Sequence, residues 1–472
     1  MRFHTVYAMS LFTLNSAPQF DKRIMGELLA LAYPMVISQG AFALMIFTDR
    51  YFMSLVSPTH LAASLGGGVA SFFCMSLFIG VLSYGNAMVA QYYGARELAK
   101  CPRVLTQGLL MCLVFVPALL LIGLFVGDMF AWMGHGPELV ALEKTYFYIL
   151  IWGSAISLIK TCLGSYFAGI GQTRVVMIAD TLGILVNLPL TYGLVFGAWG
   201  LPALGIAGAA WGTIISTLFS VAIFMLFYLG REHRRRFAVL ASFVVDLGIL
   251  RRYLRLGVPS GVEMFLNVAA FNLFLLMFQS YGVPEAASAA IVFNWDIVAF
   301  VPMIGLNVAI ISLIGRFIGE GNMDKTRQVI MSGFLLGLSY SGMLALLFVI
   351  QRGPLVSMFL IGSSDDAAIM DLASMMMLGL ATYVMADALI LVSSGVLRGA
   401  GDTRWLMWMS VGLHWLMLLA QFLVIKVWAL GPLVSWGVFV VAVLSVAAAY
   451  LWRLSGPVWR SEAAIARVMA EH

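Results

Sequence analysis

Charge is scarce in this sequence. Only 10% of its 472 residues are Asp, Glu, Lys or Arg, against about 25% in a soluble domain. That scarcity, with a mean hydropathy of +0.98, excludes a protein whose whole surface faces water. Runs of about ten alternating apolar and polar residues, the mark of a membrane β-barrel, are missing as well. Cysteine is rare: Cys74, Cys101, Cys112 and Cys162 imply neither a disulfide framework nor a metal site. The six histidines (His4, His60, His135, His233, His414, His472) are scattered. A membrane enzyme would want a His–acid or nucleophile–base cluster at one membrane face, so no catalytic residue is assigned. The net charge of +5 is too small to suggest nucleic acid. A cleavable leader is not expected, because "TVYAMSLFT" runs into Asp21, Lys22 and Arg23 without a small-residue cleavage pattern; Met25 is an alternative start.

Apolar runs are what the chain has in abundance. Hydrophobic residues make up 62% of it, and runs of roughly 20 residues recur, each long enough to cross a bilayer as a helix. The pattern predicts helices at 28–55, 62–92, 104–128, 142–167, 175–197, 204–229, 254–281, 286–316, 327–350, 371–397, 404–426 and 433–453. The expected fold class is all-α, a polytopic membrane protein with twelve transmembrane helices.

Basic residues fall in the N-terminal tail (Arg2, Lys22, Arg23) and after every even-numbered helix, most densely in "REHRRR" at 231–236. The opposite loops hold Lys144, Arg352 and Lys426, and otherwise acids such as Asp128, Glu138, Asp365 and Asp366. The positive-inside rule then places both termini in the cytoplasm of a multi-pass protein of the inner (plasma) membrane.

The chain repeats itself. "GIGQTR" ending at Arg174 is echoed by "GAGDTR" ending at Arg404, an offset of 230. Pro34 and Pro259, Gly94 and Gly319, and Lys100 and Lys325 are each 225 apart, and Trp199 and Trp428 are 229 apart. Matches that keep their order mean an internal duplication. Each unit has six helices, so both enter the membrane from the same side, as parallel lobes related by a pseudo-two-fold axis along the membrane normal. The expected organisation is an N-terminal tail at 1–24, an N-lobe at 25–229, a cytoplasmic linker at 230–253, a C-lobe at 254–453 and a C-terminal tail at 454–472. Two such lobes suit a transporter that rocks about a central cleft.

A carboxylate at the bilayer centre costs at least about 2.5–3.5 kcal/mol, so each one is a functional candidate. Asp387, in "ATYVMADALILVSSGVLRGAGDTR", lies mid-helix, with Tyr383 one turn before it on the same face. Asp49 in helix 1 and Asn187 in helix 5 fall at similar depths, with Thr191 one turn beyond Asn187. An acid with amide and hydroxyl oxygens suits a small hard cation, or a proton if the acid is shielded. In the second lobe, Glu263, Asn267 and Asn272 of helix 7 and Asn294 and Asp296 of helix 8 are candidates to line a cavity. Lys160 is expected to snorkel to the surface, Asp180 to sit near the interface close to Arg174, and His414 to be a packing residue. Some of the 29 methionines and 32 phenylalanines would form an adaptable apolar wall.

At these residues the sequence resembles the multidrug and toxic compound extrusion family. The resemblance runs from about residue 25 to 453 and is carried by "MVAQYYGARE", "GIGQTRVVMIADTLGILVNLPLTYGLVFG", "GLPALGIAGAAWGT", "LGVPSGVE" and "LRGAGDTR", in that order. It implies a two-lobed antiporter, a monomer in the bilayer, that exports drug-like organic cations in exchange for Na+ or H+, with no cofactor. By the same resemblance Asp49, Asn187, Thr191 and Thr213 form an N-lobe cation site, and Asp387 and Tyr383 match the C-lobe pair. Thr191 stands where relatives have Asn or Asp. Many relatives carry Glu eight residues after the helix-7 proline; here that position is Asn267, and the acid is Glu263, one turn earlier. The departure makes the N-lobe the expected main coupling site, with Na+ favoured over H+ and no metal beyond that ion. A lipid-linked precursor flippase of the same superfamily is the alternative within transport. It would want a basic cavity, and the interior residues here are mainly acids and amides.

Overall fold

The computed structural model describes residues 21–132, 134–360 and 366–470. The weak apolar patch at 5–13, most of the expected N-terminal tail, and Asp365 lie outside the described residues. Among the described residues the only regular structure is helical. Twelve crossings follow in order: α1 (Lys22–Val56), α2 (Pro58–Gly94), α3 (Lys100–Trp132), α4 (Pro137–Trp152 with Ser154–Gly169), α5 (Thr173–Phe196), α6 (Ile206–Tyr228), α7 (Leu247–Gln279), α8 (Val283–Gly319), α9 (Met323–Ile350), α10 (Asp366–Gly399), α11 (Thr403–Val427) and α12 (Pro432–Ser455). Helices are forced here because lipid offers no partner for a bare amide, so every backbone group must pair within its own segment.

Three crossings differ from the straight segments that hydropathy predicts. α2 is interrupted at Tyr84. α4 bends by 47° at Gly153, where the chain turns with Gly153 N–H donating to Ile149 O at 2.9 Å. α7 starts at Leu247, seven residues before the predicted helix start, because the Asp246 side chain caps the Ile249 amide at 3.1 Å. Hydropathy reports none of these, since caps and bends are set by hydrogen bonds rather than by apolar content.

The duplication reaches the backbone. Gly171 and Gly401 both adopt left-handed φ, +78° and +85°, in turns closed by the same bonds: Gln172 N–H to Phe167 O at 2.8 Å and Asp402 N–H to Leu397 O at 2.9 Å. A side chain is strained there, which is why glycine recurs in both copies. The turns after α2 and α8 also match, with Glu97 N–H to Tyr92 O and Asn322 N–H to Phe317 O, each at 2.9 Å.

The two lobes, α1–α6 and α7–α12, meet through the halves of α1, α2, α7 and α8 on the face that carries the 231–236 arginines. Glycines bring the backbones together. A Cβ on Gly94 would collide with Arg316 O, one on Gly319 with Gln91 O, and one on Gly261 with Leu77 O. Across this contact Gln91 Nε2 donates to Gly399 O at 2.8 Å, Asn86 Nδ2 to Val308 O at 3.2 Å and Ser312 Oγ to Ala168 O at 2.7 Å. Arg252, 1% exposed, donates to Gln91 Oε1 and, from Nε, to Val468 O at 2.8 Å. The C-terminal helix Glu462–Met469 is thereby tied under the lobe contact.

Candidate functional site

The N-lobe polar residues gather where α1, α5 and α6 meet. α5 and α6 approach closely because Gly208 and Gly212 leave no Cβ to strike Leu194 O and Thr191. Asp49, 5% exposed, accepts from Thr213 Oγ1 at 2.6 Å through Oδ2. Asn187 and Thr191 are fully buried, and Asn187 Nδ2 donates to Thr191 Oγ1 at 3.1 Å and to Ser216 Oγ at 3.4 Å. Ser216 sits one turn after Thr213 and donates to its carbonyl at 2.9 Å. Thus α6 bridges the acid on α1 to the amide on α5. Two buried oxygens, Asp49 Oδ1 and Asn187 Oδ1, have no hydrogen-bond partner. A buried acceptor left this way costs about 1–3 kcal/mol, and a cation is the kind of ligand that both oxygens would take. Tyr146 of α4 lies within electrostatic range of both Asp49 and Arg50.

Ser216 was not singled out in the sequence; its only signal is the i, i+3 spacing from Thr213. Lys160, expected to snorkel to the surface, is partly exposed and has a partner on α5. Its Nζ pairs with Asp180 Oδ1 at 2.8 Å, and Asp180 also accepts from Ser38 Oγ. The counter-charge on α5 holds the amine between helices.

In the C-lobe the residues expected to line one cavity separate into groups. Asp387 on α10 and Asp296 on α8 are close enough for their charges to interact, and the Tyr383 hydroxyl is within electrostatic range of both. Among the described residues neither carboxylate makes an ion pair, and Asp296 and the Tyr383 hydroxyl are within reach of each other. Aromatic rings wall this group. The Tyr383 ring stands 5.4 Å from Phe439 and 6.1 Å from Trp436, and Phe293 packs on both. Trp436 and Phe439, three apart on α12, were not picked from the sequence because aromatic residues are common throughout such a chain.

Glu263 and Asn267 belong to a second cluster. Glu263 Oε1 pairs with Arg398 Nη2 at 2.9 Å, and Asn267 Nδ2 donates to Ser410 Oγ at 2.7 Å. His414 Nδ1 bonds to Ser410 O at 2.7 Å. Asn272 donates to Val268 O on its own helix at 2.8 Å, as Asn294 does to Ala290 O. The structure therefore brings Asp296, Asp387 and Tyr383 together, while Glu263 and Asn267 take partners elsewhere, Arg398 and Ser410.

Comparisons with known proteins agree with this architecture. The MatE family model matches residues 34–193 and again 259–422, one block in each lobe. The multidrug resistance protein MdtK of Edwardsiella ictaluri is 26% identical over 439 residues, covering 89% of this chain and 93% of MdtK. In fold, the chain is similar to a MOP-superfamily transporter from Pyrococcus furiosus Vc1, with a TM-score of 0.84 at 19% identity over 93% of this chain and 97% of that one. The eukaryotic MATE transporter AtDTX14 gives a TM-score of 0.84 at 17% identity, over 95% of this chain and 99% of its own. With the family model matched once in each half of a two-lobed fold, this chain belongs to the MatE family of multidrug and toxic compound extrusion transporters.

Proposed function

We propose that the chain is a secondary active antiporter that exports organic, mainly cationic, compounds in exchange for Na+ or H+ by alternating access. The observation that carries this reading is the Asp296–Asp387 pair beside Tyr383, walled by Trp436 and Phe439 and free of any basic partner among the described residues. Two acids in an aromatic enclosure suit an organic cation, which gains from carboxylate charge and ring face together. The Asp49 site, with its amide and hydroxyl oxygens, is assigned to the coupling ion. The lobe contact is closed on the arginine-bearing face, so release in this state would be to the other side. A flippase reading would need a basic site, and the one lysine at this depth, Lys160, is neutralised by Asp180.

The test is drug efflux from vesicles containing the purified chain. Asp387→Asn keeps size and polarity but removes the charge, so export should fall at least tenfold with expression and folding retained. Wild-type efflux would assign Asp387 to structure.

The same reading has the chain as a monomer in the inner (plasma) membrane, with lobes at 25–229 and 254–453 and both termini and the 230–253 linker cytoplasmic. It takes neither a cofactor nor nucleic acid. Cysteines placed at Arg235 and Gly136 should then label from opposite sides. Position 233 is unsuitable as a reporter, because His233 is packed among aromatic rings. Labelling of both cysteines from outside the cell would overturn the orientation.

A further inference from the structure

The segment between α6 and α7 is held rigidly against the N-lobe. His233 sits among Tyr166, Phe167, Tyr228 and Phe237, with ring centroids 4.6–5.8 Å away, and its Nε2 bonds to the Tyr166 hydroxyl at 2.9 Å. Gln107 Nε2 donates to Val244 O at 2.9 Å and Gln107 Oε1 accepts from Asp246 N–H at 3.2 Å. Phe237 and Val239 are buried. Pinned in this way, the segment still turns five large apolar side chains outward: Leu240, Phe243, Val244, Val245 and Leu247 are 47–72% exposed. Arg231, Arg234 and Arg235 precede them, and none of the three makes an ion pair or a side-chain hydrogen bond among the described residues. Arg234 and Arg235 line a cleft with Leu240.

We infer that the 231–247 segment is a membrane-surface site that seats its apolar strip in the bilayer boundary and binds an anionic phospholipid headgroup with Arg231, Arg234 and Arg235. Three observations select lipid as the occupant. The segment lies between the end of α6 and the start of α7, at the level where the crossings leave the membrane. Its exposed apolar residues follow in the chain after the end of α6, where Leu226 is 75% and Leu229 44% exposed. The adjoining charge is mainly positive, with Arg231, Arg234 and Arg235 against the single acid Glu232 in the same short helix, and so is complementary to a phosphate headgroup. Apolar side chains beside a cluster of Lys or Arg form the general pattern of interfacial lipid binding. A loose linker would bury this strip or move it about. The aromatic seat of His233 prevents both, so the site is presented in one orientation.

The test uses the full chain in nanodiscs of phosphatidylcholine, with or without phosphatidylglycerol. Phosphatidylglycerol should raise the thermal midpoint of the wild type, and R231Q/R234Q/R235Q should abolish that rise. Each arginine removed should lower headgroup affinity about fivefold. The Arg→Lys triple variant should keep the response, which separates loss of charge from misfolding. A fluorophore on Phe243→Cys should be quenched by lipids carrying a shallow spin label. An equal midpoint in both discs, a rise that persists in the glutamine variant, or an unquenched fluorophore would overturn the site. A rise reproduced by inorganic phosphate in phosphatidylcholine discs would also overturn it, by showing a free-anion site instead.

Discussion

Arg398 reaches from the last turn of α10 to Glu263 on α7 and pairs with it at 2.9 Å. Glu263 is 3% exposed, and Tyr450 and His414 lie within electrostatic range of it. The helix-7 acid thus has a fixed basic partner, whereas among the described residues Asp296 and Asp387 have no basic partner. We predict that Glu263 is structural. Removing one member of a fully buried pair costs about 3–5 kcal/mol; here the arginine left behind is 29% exposed, so water offsets part of that penalty. Glu263→Gln should therefore lower the thermal midpoint sharply, and the double variant Glu263→Leu with Arg398→Met should recover most of it. Efflux per folded molecule should survive in the double variant. A stable Glu263→Gln protein that had lost only its ion coupling would show that the acid serves transport.

The fold was largely legible in the sequence and the side-chain partnerships were not. Hydropathy finds twelve segments because each must span the bilayer on its own. The repeated "GxGxTR" is readable because Gly171 and Gly401 each occupy a left-handed turn that other residues resist. Asp387 and Tyr383 share a helix face, and so could be paired by spacing alone. Asp296 joins them from α8, and Arg398 finds Glu263 across 135 residues; no periodicity encodes such pairs. The partner of Lys160 was illegible for the same reason, since Asp180 is on the next helix. The clearance of the lobe contact at Gly94 and Gly319 is equally silent, because a helical glycine looks the same whether it faces lipid or a carbonyl.

A second prediction concerns pH. His233, in the short helix between the lobes, has its pKa pushed down from 6.5 to about 4, first by burial among the rings and then by the Arg236 charge. Protonation is therefore easier once the seat is open. The sign follows: stability from a neutral, seated His233 is present above pH 6.5, declines as pH falls from there toward 4, and changes no further below that. Protease cleavage within 231–247 should accelerate across that window in the wild type. His233→Phe, which keeps the ring and removes the titration, should flatten the dependence. An unchanged pH profile in His233→Phe would show that another group governs release.

The last prediction addresses the coupling ion. Asp49 Oδ2 is held by Thr213, while Asp49 Oδ1 and Asn187 Oδ1 remain unpartnered within the same α1–α5–α6 cluster. One carboxylate with neutral oxygens is the donor set of a hard cation, and its single negative charge offsets part of the ion's dehydration. A proton would need only the carboxylate, with one neighbouring oxygen to accept from its O–H, whereas a hard cation would use the carboxylate, amide and hydroxyl oxygens together as ligands. The cluster therefore favours Na+, with Asp49 as the charged ligand and Asn187, Thr191 and Thr213 as neutral partners. Drug efflux from vesicles should rise with an imposed sodium gradient at fixed pH, and Asp49→Asn should remove that dependence by at least tenfold. Asn187→Ala should weaken the apparent sodium affinity without abolishing export, because it removes an oxygen but leaves the charge. Export that ignored sodium and followed a pH gradient would exclude the sodium assignment. Full coupling retained in Asp49→Asn would move the ion to the Asp296–Asp387 pair, the other carboxylate group without a basic partner.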